Sequence, residues 1–186
     1  MISPIEQAVG YYRGRVAARA LREDGTRGDP RWLRDDVDEE SLRFAAHEAA
    51  HAVAFLALGL RVHEVTVDPK RSGQFHEYAP GPPSRHVIVA SADRTGVCHP
   101  VRACAPREVH LVIALAPVAA GDDADNTGAD RQMCARLGVH TAAQAEPYVA
   151  RARLVLAQNR LEWFKLTAEL YERGTLWARD VAEVVA

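Results

Sequence analysis

Lysine is almost missing from this sequence: Lys70 and Lys165 are the only two in 186 residues. Arginine carries the remaining positive charge and the net charge is −2, so no basic surface stands out for nucleic acid or an anionic membrane. Cysteine is scarce too. Cys98, Cys104 and Cys134 are odd in number and contain no C-x-x-C pair, so a reduced protein is expected. No window approaches the ~18 apolar residues of a membrane span, and "AVAFLALGL" is far too short. The N-terminal stretch "MISPIEQAVGYYRGRVAARA" lacks the apolar segment of a secretory signal. A phosphate loop of the form G-x-x-x-x-G-K-[ST] is absent, as are internal repeats and low-complexity tracts. The expectation is a soluble, cytoplasmic protein without a nucleic-acid or membrane partner.

What is present is ordinary for a globular chain: 48% hydrophobic and 26% charged residues, at a length that supports one domain with a sizeable core. Ser3-Pro4 starts a helix over 3–22, with Ile5, Val9, Tyr12, Val16 and Leu21 at roughly helical spacing. Residues 23–37 are rich in Gly and charge and read as a linker. The division expected is therefore 1–37, a helix and charged linker, and 38–186, the main domain. A second helix starts at the capping residue Asp38 and stops at Gly59. "RVHEVTVD" reads as a strand, and "RHVIVASA" as another within a loop-rich 69–108. "REVHLVIALAPVAA" reads as one helix with Pro117 near its end, followed by a helix over "GADRQMCARLG". Residues 141–173 form one long helix or two abutting ones with Pro147 at the joint, and Thr175 caps a closing helix. The fold expected is mainly α, with a short β-ribbon.

Within the second helix lies "HEAAH", residues 47–51, set among Ala, Val, Leu and Phe. Burying His47, Glu48 and His51 without partners would cost about 1–3 kcal/mol each. A metal ion removes that difficulty. Positions i and i+4 share one helical face, so His47 and His51 can aim at one ion while Glu48 lies beside it. H-E-x-x-H is the arrangement of zinc hydrolases, with Glu as general base, and a catalytic zinc requires a third protein ligand.

Three stretches in conserved order, from about residue 40 to the C-terminus, resemble the peptidase domain of FtsH-type ATP-dependent zinc metalloproteases. "HEAAHAVAFLALG" is similar to that family's H-E-x-G-H and following hydrophobic helix, with Ala50 in place of Gly. "RVHEVTVDPKRSGQFHEY" resembles the strand segment that comes next, and "NRLEWFKLTAELYERGTLWARDV" the closing pattern. The resemblance implies a helical zinc peptidase domain with its β-ribbon beside the H-E-x-x-H helix. It also implies a third ligand, an Asp on a later helix after a Thr-Gly-Ala-like turn. "DNTGADRQMCARLG" occupies that place and nominates Asp130. Asp122, Asp123 and Asp125 compete with it, although turn and cap roles suit them and their loss is expected to matter little. Gly73, Gln74 and Phe75 fall where the family pairs an extended segment with substrate backbone. The departures are "ALAPVAAG", which lacks the family's Gly-Arg and Ala-Ala-Glu, and the missing ATPase module. Any unfolding motor would be a separate ATPase partner, and homo-oligomerisation stays open.

The resulting expectation is zinc-dependent hydrolysis of peptide bonds in flexible or unfolded polypeptides, independent of ATP. His47, His51 and Asp130 would hold Zn2+, and Glu48 would take the proton of the attacking water. The alternatives are a catalytically silent peptide-binding module of the same fold and a purely structural helical domain. Cys98, His99, Cys104 and His86 fit no standard zinc spacing. His110 suits a core or boundary position, Trp163, Phe164 and Leu166 suit the core, and His63 and Glu64 suit the flank of a strand.

Overall fold

The computed structural model describes residues 3–24, 37–60, 62, 64–67, 89–91, 106–122 and 128–186. They form a mainly helical fold. In chain order the elements are α1 (Pro4–Asp24), α2 (Glu39–Ala57), β1 (Glu64–Thr66), β2 (Val89–Ser91), α3 (Arg107–Ala114) and α4 (Ala116–Ala120). There follow α5 (Gly128–Arg136), α6 (Ala142–Gln158), α7 (Arg160–Arg173), β3 (Thr175–Trp177) and α8 (Ala178–Val185).

The central helix is α2. It packs most extensively against α7 and also meets α1, α3, α4, α6 and β1. Every residue from Ala45 to Phe55 is buried, so the helix has no solvent face over that span. Its many alanines let neighbouring helices approach closely. Asp38 starts it, accepting from the N–H groups of Glu40 and Ser41 at 3.1 and 3.3 Å. Gly59 stops it with a φ of 78°, a left-handed conformation that favours glycine, and Leu60 N–H returns to the Phe55 carbonyl at 3.0 Å.

One contact pins α2 in register. The Trp163 indole N–H, on α7, donates to the Ala46 carbonyl at 2.9 Å, one residue before His47. Trp163, Phe164 and Leu166 are core residues, as expected. Ser3 and Glu6 cap α1 reciprocally: Ser3 N–H donates to Glu6 Oε2 at 2.7 Å and Glu6 N–H to Ser3 Oγ at 3.2 Å. Ile5 and Ala8 of α1 belong to the main core, while Val9 and Tyr12 pack with Leu42 and Ala168 in a smaller cluster.

The β structure is a mixed three-stranded sheet in the order β2-β1-β3, not a simple ribbon. β1 runs parallel to β2 and antiparallel to β3, with Val65 opposite Ala90 and Leu176. Glu64, Val65 and Thr66 are all buried, because the central strand is covered on both faces and loses the usual alternation. Glu64 therefore sits inside the strand instead of flanking it. Thr175 is not a helix cap. It lies in β3, its hydroxyl 2.7 Å from that of Thr66, and Asp180 caps α8 by accepting from Trp177 N–H at 2.8 Å.

Two helical expectations need correction. Residues 107–120 do not form one helix: the chain breaks at Leu115, with φ −99° and ψ 4°. The joint within 141–173 is Asn159, not Pro147. Pro147 is tolerated inside α6, where it and Ala143, whose carbonyl it deprives of a helical donor, are both exposed. At the real joint the Asn159 side-chain amide donates to the Val155 carbonyl at 2.8 Å. No helix among the described residues is long and apolar enough to cross a membrane.

Candidate metal centre

α2 carries His47, Glu48 and His51, all buried. Asp130 comes from the first turn of α5, where a helix N-terminus favours a carboxylate. One atom each from His47, His51 and Asp130 lie within 4.8 Å of one another, forming a group suited to a metal ion. Asp130 Oδ2 is 3.5 Å from His47 Nε2 and 3.4 Å from His51 Nε2. Those separations exceed the 2.7–3.2 Å of an ordinary N–H···O bond. They approach the ~3.3 Å edge of a tetrahedron whose metal–donor bonds are about 2.0–2.1 Å.

Behind each imidazole stands a second partner. His47 Nδ1 is 2.6 Å from Asp122 Oδ2, and His51 Nδ1 is 2.9 Å from the Ile113 carbonyl oxygen. Both acceptors require an Nδ1–H. This leaves Nε2 of each ring as the donor facing Asp130, the arrangement that metal-binding histidines ordinarily receive from their surroundings.

The acids explain why a cation belongs here. The Asp130 carboxylate faces both imidazoles, Asp122 backs His47, and Glu48 lies near enough to act on both rings, so the buried group is acidic in a way that protons or a metal can offset. Without a metal the group holds protons. Burial alone would depress the His47 imidazolium, but its hydrogen bond with Asp122, the close Asp130 carboxylate and the nearby charge of Glu48 raise it to about 10. His51 is likewise raised: burial opposes the shift, and Asp130 outweighs it. Burial also works against ionised Asp130, yet the charge of His51 and its contacts with both imidazoles hold it well below the usual carboxylate range. Two histidines and a carboxylate, with the outer nitrogens already engaged, fit a divalent ion.

The loop geometry brings Asp122 to this place. Gly121 ends α4 with a φ of 90°, in the left-handed region, and the chain turns there toward α2. A Cβ at Gly121 would come within 3.2 Å of Ser3 Cβ, so the start of α1 closes the other side of the turn. Asp122 is thus neither a turn residue of no account nor a member of the ligand group: it orients His47. Sequence reading missed this, although an acid directly after a helix-ending Gly was the available signal. Asp122→Ala is expected to weaken metal binding by about 10–100-fold. Competition against a chelator measures it, and unchanged affinity would remove Asp122 from the site.

Other expected residues fall elsewhere. His110 is buried on α3, outside the ligand group. Cys134, one turn after Asp130, packs into the core, where burial, reinforced by Asp130, pushes its thiol up to about 11. It is a neutral thiol near pH 7. Gly73, Gln74 and Phe75, the competitors Asp123 and Asp125, and His63, His86, Cys98, His99 and Cys104 lie outside the described residues. Compared with known proteins, the chain matches no family model, no curated protein and no solved structure.

Proposed function

We propose that this protein is a zinc-dependent peptide hydrolase that acts on flexible or unfolded polypeptides. The observation that carries the reading is the convergence of His47, His51 and Asp130 from two helices, with Glu48 buried beside the histidines on α2. The likeness of three sequence stretches to FtsH-type peptidase domains supports the same reading. A bound zinc ion supplies Lewis acidity that polarises a scissile carbonyl and makes water reactive near neutral pH. Glu48 accepts the proton of the attacking water and delivers it to the leaving amine. Asp122 and the Ile113 carbonyl hold the histidine rings in place during the reaction.

Purified protein should contain one zinc per chain and should digest an unfolded casein-type substrate, with activity lost to a chelator and restored by zinc. It should spare a tightly folded domain, whose opening costs about 5–15 kcal/mol, and cleave a permanently unfolded variant of it without ATP. Metal binding without any hydrolysis would leave a peptide-binding module. Protein that takes up no metal when zinc is supplied would end the hydrolase reading altogether.

A further inference from the structure

A continuous helix through residues 107–120 would bond the N–H of residue 117 to the carbonyl of Ile113. Proline has no N–H, and in a helix its ring collides with that same carbonyl four residues back. The chain gives way at Leu115, and Pro117 falls in the first turn of α4, where a missing N–H is tolerated. The Leu115 N–H passes near the Ile113 oxygen but makes its 3.1 Å bond to Leu111. The Ile113 carbonyl also lies 2.9 Å from Nδ1 of His51, buried on the facing helix.

We infer that Pro117 is a positioning residue for the metal centre. By withholding the helical donor four residues on from Ile113, it leaves that oxygen open to His51. The bond then sets the His51 ring with Nδ1 protonated and Nε2 toward Asp130. The short α4 thus lies between the two supports, the Ile113 carbonyl before it and Asp122 after it. A proline placed only to start α4 would leave His51 indifferent to it.

This inference rests on the metal-binding reading above, and its test separates the two. Pro117→Ala restores an N–H in a strong helix former, and Pro117→Gly restores it without favouring a straight helix. In both, the new N–H competes for the Ile113 oxygen. Zinc affinity, measured by chelator competition, should fall about 10–100-fold, most in Pro117→Ala. In the zinc-loaded protein the His51 Nδ1–H proton resonance should move or exchange faster, while that of His47 stays. Wild-type affinity in both variants, or disturbance of His47 with His51 unchanged, would overturn the role of Pro117 and leave the metal site standing. A wild-type chain that binds no zinc would overturn both.

Discussion

Glu48→Gln should leave one zinc per chain in place and slow peptide hydrolysis by about 10²–10⁴-fold, the usual effect of losing a general base. The substitution changes one atom and almost no volume, so the packing of α2 around it is kept. That matters because Glu48 is among the buried residues at the centre of this helix, only 4% exposed, where truncation to Ala would open a cavity as well. Glu48 is not one of the three clustered donors, so metal content should not follow its charge. Its carboxylate does lie near enough to both histidines to raise their pKa values. An amide at this position cannot take a proton from water near pH 7. Metal analysis and a digestion assay on the same preparation separate the outcomes. Unchanged turnover would dismiss Glu48 as the base, and zinc lost with activity would make it a ligand or its support.

The parts of this site that were legible in the sequence are those set by local geometry. His47 and His51 share a face because the helix repeat is close to four residues, and the caps Asp38 and Gly59 mark where that helix begins and ends. Asp130 was reached by resemblance and by its place in a first helical turn. The supporting partners were not legible, since each joins distant segments: Asp122 meets His47 across 75 residues and Ile113 meets His51 across 62. An apolar run such as "REVHLVIALAPVAA" satisfies helical periodicity on both sides of Pro117, so the pattern alone hides the break at Leu115. The same limit applies to β1. Its three buried residues break the alternation by which a half-exposed strand is recognised, and Thr175 pairs with it from the far end of the chain.

Asp130→Ala should abolish zinc retention, a larger loss than that caused by removing a supporting partner, because one of three ligands disappears. The pH dependence makes the result specific. In the metal-free protein His47 is raised from 6.5 to about 10, so its contribution to stability is complete below about pH 6.5 and is lost as pH rises through about 10. His51 shifts in the same direction. Asp130 is lowered from 3.8, so its contribution is present above that value and is lost as pH falls below it. From this group alone, the metal-free protein is most stable between about pH 4 and 6.5. Zinc reverses the trend at higher pH, because ligand imidazoles must be unprotonated and binding expels their protons. The rise in melting temperature caused by zinc should therefore grow between about pH 6 and 8 in the wild-type chain. In Asp130→Ala it should be absent throughout that range, whereas Asp123→Ala and Asp125→Ala should behave as wild type. Thermal melts with and without zinc across pH measure all four proteins directly. A zinc effect that survives in Asp130→Ala and vanishes in one of the others would move the third ligand to that residue.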